Sequence, residues 1–278
     1  MTNTEHSAHY PRVNRMPTLG LGTWQLADPD QCAESVANAL EMGYRHVDTA
    51  QGYDNEEFVG RGIEAADVDR EEVFLATKVS TSNLAYDDVI ETTKTSLEKL
   101  GVDAVDLLYV HWPINTYDTE ETLAAFDELY DDGYIEHVGV SNFEPRHIEE
   151  AVETLEAPIF ANQVECHPLL AQTELRAVCA AHEIELVAYS PLARGKVFDV
   201  PEIGSVAEKH DVSEAQVSLA WLREKEITAI PKATGTDHLA DNFASLSLEL
   251  DDDDIATLDS IDSIHREVDP DGAPWNVH

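Results

Sequence analysis

Short apolar runs alternate with longer segments that repeat an apolar residue every three or four positions. The runs Arg45–Thr49, Val73–Lys78, Val105–His111, Ile135–Ser141, Ile159–Val164, Ile184–Ser190, Thr228–Lys232 and Leu246–Leu248 have the length and composition of buried parallel strands. Between them, Ala33, Val36, Ala37 and Leu40 share one helical face, as do Leu123, Phe126 and Leu129. Asp87 and Asp118 are placed to cap helix starts, and Gly101 and Gly133 to stop helices. Eight strands with intervening helices predict right-handed crossovers and a closed (β/α)8 TIM barrel, class α/β, formed by residues 1–278 as a single domain. MPTLGLGTW falls before the first of these runs and is expected to form an N-terminal β-hairpin over the barrel base. The stretch 266–278 follows the last helix and carries Pro270, Gly272, Pro274 and Trp275. It is expected to fold over the barrel mouth. Asp251–Asp254 resemble a metal-ligand run, but they read better as the acidic first turn of the final helix.

Charge changes the picture more than length does. Seventeen Lys and Arg against 56 Asp and Glu give a net charge of −39. Phosphates need a basic footprint, so nucleic acid is not an expected partner. The acids are dispersed without calcium-loop spacing and form a solvated surface. Self-repulsion of this size calls for dissolved salt, and the scarcity of lysine matches a halophilic composition. No apolar run approaches a membrane span, and MTNTEHSAHYPRVNRM has no apolar signal core. Cys32, Cys166 and Cys179 form no CxxC pair, which fits a reducing cytoplasm. The expectation is a cytoplasmic monomer.

Reactive side chains close three of the apolar runs. Asp48 ends one, followed closely by Tyr53; Lys78 ends the next, and His111 the third. A β/α barrel keeps its active site at the C-terminal ends of its strands. A phenol, an amine, an acid and an imidazole gathered there suit proton transfer to a carbonyl oxygen. Tyrosine alone is a reluctant acid; an ammonium beside it stabilises the phenolate and is expected to lower its pKa. Asp48 can hold Lys78 charged, His111 can donate to the carbonyl oxygen, and Tyr53 becomes the general acid. His46, His137 and His167 read as packing or surface groups, and no pair has metal-site spacing. A metal-dependent hydrolase barrel would need more His and Asp at strand ends than Asp48 and His111.

The ordered strings LGLGTW, HVDTAQGYDNEEFVG, TKV, HWP, VGVSNF, NQVECHP, AYSPLARG and IPKATG resemble the aldo-keto reductase family, in its compact microbial form, over nearly the whole chain. The resemblance implies an NAD(P)H-dependent enzyme that reduces small aldehydes or ketones, with catalytic Asp48, Tyr53, Lys78 and His111. It places Ser141, Asn142 and Gln163 on the nicotinamide carboxamide and Tyr189 on the ring face. Ser190 and Leu192 go to the pyrophosphate, and Thr23 and Trp24 to the ribose. No strand leads into GxGxxG, so the barrel mouth must serve in place of a Rossmann crossover. At the adenosine end the family pattern has an arginine six residues after a lysine; this chain has Lys232, Thr234 and then His238. Use of NAD beside NADP is therefore expected. Trp24, Tyr53, His111 and Trp112, with Trp275 from the tail, are expected to line the substrate pocket. The alternative is a nicotinamide-binding barrel that regulates a partner without catalysis.

Overall fold

The computed structural model describes residues 12–13 and 16–276. An antiparallel hairpin of β1 (Arg12–Val13) and β2 (Met16–Pro17) comes first. The barrel strands follow as β3 (Leu21–Gly22), β4 (His46–Asp48), β5 (Phe74–Val79), β6 (Leu107–Val110), β7 (Val138–Ser141), β8 (Ile159–Glu165), β9 (Glu185–Tyr189) and β10 (Thr228–Ala229). They pair in chain order and in parallel. A parallel bridge between Leu19 and Ala229 closes the ring. Ala229 N–H donates to Thr18 O at 2.9 Å, and Gly20 N–H to Ala229 O at 2.8 Å.

The surrounding helices are α1 (Pro29–Met42), α2 (Glu56–Ala65), α3 (Tyr86–Leu100), α4 (Thr119–Asp131), α5 (Pro145–Thr154), α6 (Thr173–Ala181), α7 (Pro201–His210), α8 (Glu214–Glu224), α9 (Thr236–Ala244) and α10 (Asp252–Asp259). Their buried stripes, such as Val36, Ala39 and Leu40 of α1 and Leu123, Phe126 and Leu129 of α4, pack onto the outer faces of the strands. A smaller cluster of Phe74, Ala76, Leu107, Tyr109, Ala161, Val187 and Ile230 fills the barrel interior, and Met16 of the hairpin joins it. Strand side chains alternate between faces. The interior rows therefore run 74–76–78, 107–109–111, 161–163–165 and 187–189, apolar at the base and polar at the mouth.

Three expectations need correction. MPTLGLGTW does not lie wholly in the hairpin, because Leu21–Gly22 is the first barrel strand. Its glycines hid it: they disfavour strand yet are required by close approach. A Cβ on Gly20 would stand 2.8 Å from the His46 ring, and one on Gly22 2.6 Å from the Ile230 carbonyl oxygen. Leu246–Leu248 is not a strand, since a 3-10 turn covers Ser245–Ser247 and Arg223 takes the Ser245 and Leu248 carbonyls. Two alternating leucines in so short a stretch do not distinguish a strand from a turn. Asp87 stands in the first turn of α3, whose cap position belongs to Ala85. Asp118 does cap α4, accepting from Glu120 N–H at 3.1 Å and Glu121 N–H at 3.0 Å. Asp251 caps α10, and Asp252, Asp253 and Asp254 make its acidic first turn.

The tail runs where it was expected. Glu267 and Val268 bond the end of β8, and Trp275 packs on Trp112 with ring centres 5.5 Å apart.

Candidate active site

The polar ends of the interior rows meet in a cavity of about 660 Å³ at the C-terminal mouth, within the size range of small-molecule sites. Lys78 extends the row of Phe74 and Ala76 and is fully buried. Its ammonium bonds the Asp48 carboxylate and donates to Thr49 O at 2.8 Å. Gln163 Nε2 donates to the other Asp48 oxygen at 2.8 Å. Tyr53 ends the 3-10 turn Gln51–Tyr53 that follows β4. Its ring centre is 5.1 Å from Lys78 Nζ and 5.7 Å from the His111 ring, edge to face. Four side chains from three neighbouring strand ends thus converge, as the sequence predicts.

Their proton affinities follow from burial. Desolvation, and then the Asp48 carboxylate, push the Tyr53 phenol well above its ordinary value. Desolvation, and then the charge of Lys78, pull His111 down to about 3. Lys78 is lowered by burial, with Asp48 and Glu56 opposing. The expected lowering of the tyrosine is therefore not found. The ammonium is engaged by Asp48 and the Thr49 carbonyl, so its charge is compensated before it reaches the phenol. Burial thus favours the protonated phenol of Tyr53 and the neutral imidazole of His111.

Beside this group the carboxamide-binding candidates bond one another. Ser141 Oγ donates to Gln163 O at 2.8 Å, Asn142 Nδ2 to Ser141 Oγ and to His111 O at 3.0 Å each, and Tyr189 OH to Asn142 Oδ1 at 2.8 Å. Asn142 and Ser190, each one residue past a strand, have φ of 63° and 47°. These left-handed turns redirect the chain at the mouth. Ser141, Asn142, Gln163, Tyr189, Ser190, Leu192, Lys232, Trp24 and Trp112 line the cavity with Tyr53 and His111.

Five candidates stand apart from the cavity wall: Lys78, fully buried against Asp48, and four others. Thr23 is fully buried, its hydroxyl donating to the backbone carbonyl of Asp48 at 3.0 Å, so it holds the chain at the end of β4. Thr234 and exposed His238 lie beyond Lys232, His238 in the first turn of α9. Trp275 reaches the wall through Trp112.

Sequence reasoning missed Arg194, Asn55 and Glu165. Arg194 lines the cavity with its guanidinium 4.7 Å over the Trp24 ring. Asn55 is buried and braces the Tyr53 turn, accepting from Thr49 Oγ1 at 2.8 Å and donating to Thr23 O at 2.9 Å. Glu165 ends β8 on the interior row of Gln163. A carboxylate two residues beyond a candidate, in a strand of period 2, was the available signal.

A nicotinamide dinucleotide fits this donor set. Tyr189 offers a flat face held by its hydroxyl bond, the three carboxamide candidates cluster beside it, and Arg194 and Lys232 bring positive charge for phosphates.

The model of the aldo/keto reductase family matches residues 18–263. An aldo-keto reductase of Mycobacterium sp. (strain JLS) is 38% identical over 264 residues, covering 95% of each chain. The glyoxal reductase of Bacillus subtilis (strain 168) is 38% identical over 252 residues, 91% of this chain and 90% of that protein. The crystal structure of an aldo/keto reductase from Brucella melitensis superposes with a TM-score of 0.85 at 37% identity, over 90% of this chain and 98% of that one.

Proposed function

Because this chain belongs to the aldo/keto reductase family and is an oxidoreductase acting on carbonyl groups, we propose that it reduces small aldehydes or ketones to alcohols with NAD(P)H, Tyr53 giving the proton. The observation that carries this reading is that Tyr53, His111 and Asp48 line one cavity, with buried Lys78 paired to Asp48 and 5.1 Å from the Tyr53 ring centre.

Bound nicotinamide supplies a hydride to the carbonyl carbon. Ser141, Asn142 and Gln163 would hold its carboxamide, Tyr189 its ring face, Trp24 the ribose region, Ser190 and Leu192 the pyrophosphate, and Lys232 the adenosine end. Neutral His111 donates a hydrogen bond to the carbonyl oxygen and orients it. Tyr53 keeps its proton through neutral pH and yields it as that oxygen becomes basic. Lys78, held charged by Asp48 against the pull of burial, is the cation nearest the phenolate that remains. The aromatic wall of Trp24 and Trp112 favours small, partly apolar carbonyl compounds. Dicarbonyls of the kind named in the Bacillus subtilis relative belong among the first to test.

Assaying a carbonyl panel with NADPH and with NADH in molar KCl tests the reading. Turnover is expected with both cofactors, and Tyr53→Phe is expected to abolish most of it. Absence of turnover across the panel would favour a regulatory nicotinamide-binding barrel.

A further inference from the structure

Glu165, on the interior row of Gln163, is an acid that the chemistry above leaves unused. Its side chain is 0% exposed, yet it is fully engaged. Oε1 accepts from Glu267 N–H at 2.6 Å and pairs with His167 Nε2 at 3.0 Å, and Oε2 accepts from Val268 N–H at 2.8 Å. Burial alone would raise this carboxyl; the bonds from His167, Glu267 and Val268 hold it below its ordinary value.

What hangs from these bonds is part of the cavity wall. Val268 lines the cavity directly. Arg266, one residue before the tied pair, lies 4.0 Å over the Trp275 ring, which packs on the cavity residue Trp112. Asp269, one residue after it, accepts from Trp275 Nε1 at 2.9 Å. Two successive backbone N–H groups need an acceptor with two free oxygens. A carboxylate supplies both, whereas an amide would turn its own NH2 toward one of them.

We propose that Glu165 is a positioning residue for the carbonyl site: its buried carboxylate ties the tail across the barrel mouth and so fixes the wall that limits substrate size. The substrate half of this statement rests on the functional reading above; the tie itself does not.

Glu165→Gln tests both halves. Amide hydrogen exchange at Glu267 and Val268 is expected to quicken about tenfold or more, the loss of a charge-assisted bond. The kcat/KM preference for methylglyoxal over a bulky aryl ketone should fall about fivefold through KM, with kcat for methylglyoxal within about twofold. Glu267→Pro, which deletes one donor and leaves Glu165 untouched, should reproduce the shift in preference, while Glu267→Ala, which keeps the N–H, should not. Unchanged exchange at residues 267 and 268 in Glu165→Gln would overturn the tie. Equal kcat losses for both substrates would overturn the positioning role. A wild type that reduces no carbonyl would refute the functional reading alone, since exchange still measures the tie.

Discussion

The two ends of the cavity are built on opposite principles. At the inner end Asp48, Lys78 and Gln163 are buried, and each fixes the next through a bond to Asp48. At the outer end Lys232 is exposed, and exposed His238 lies beyond it in the first turn of α9, which begins after Gly235 without a side-chain cap. A buried charge that loses its partner is strongly destabilising. An exposed charge is solvated by water and is free to be exchanged. The inner end is therefore expected to tolerate almost no substitution, and on the reading proposed above the outer end is where cofactor preference can drift.

The strongest way to break this contrast is to remove the inner cation. Lys78→Met leaves the Asp48 carboxylate buried with, among the described residues, only Gln163 as side-chain donor. The expected cost is about 3–5 kcal/mol of stability, the penalty for breaking a buried pair, together with loss of activity by orders of magnitude. Tyr53→Phe should match the activity loss and spare the stability, because no charge is stranded. Urea unfolding beside kcat separates the two. A Lys78→Met protein as stable as wild type would mean the pair does not hold the inner end together.

The same contrast explains what could be read from the chain. Asp48, Tyr53, Lys78 and His111 were legible because reactive side chains closing apolar runs are hard to explain as packing. The tail over the mouth was legible from proline, glycine and tryptophan after the last helix. The first barrel strand was not, since Gly20 and Gly22 are chosen for the neighbours His46 and Ile230, which are distant in sequence. The direction of the Tyr53 shift was also hidden. It depends on the Lys78 ammonium being engaged by Asp48 and Thr49, which only three-dimensional placement shows. Arg194 escaped because a single arginine in a loop carries no periodicity.

Proton affinities sharpen the contrast next. Because burial raises Tyr53, the acid form persists, and kcat for reduction is expected to stay level from about pH 6 to 9. A steep fall of kcat through neutral pH would assign the acid elsewhere. Stability should behave differently. His46 and His111 are drawn from 6.5 down to about 4 and about 3, largely by burial. Between those values the unfolded chain binds protons that the folded one refuses, so stability present above pH 6.5 is lost progressively as pH falls toward 3. Melting temperatures across this window check the sign.

Salt acts on the outside. With a net charge of −39, the melting temperature should climb as KCl is raised toward several molar, through screening of surface repulsion. The buried Lys78–Asp48 pair lies beyond the reach of dissolved ions, so kcat per folded molecule should change by no more than about twofold. A flat melting curve would refute the halophilic reading of the surface.

The smallest effect belongs to His238. A guanidinium at this place would bring a permanent charge and paired donors toward a 2′-phosphate, whereas an imidazole has no such planar fork of paired donors. NAD has no such phosphate and gains nothing from the change. The wild type is therefore expected to use NADH measurably beside NADPH, and His238→Arg to lower KM for NADPH by about five- to tenfold while leaving NADH within about twofold. The exposure of His238 means the substitution needs no repacking, so stability should not move. Comparing kcat/KM for both cofactors in both proteins decides it. Strict NADPH dependence in the wild type, or equal gains for the two cofactors, would show that the outer end is fixed by something other than this side chain.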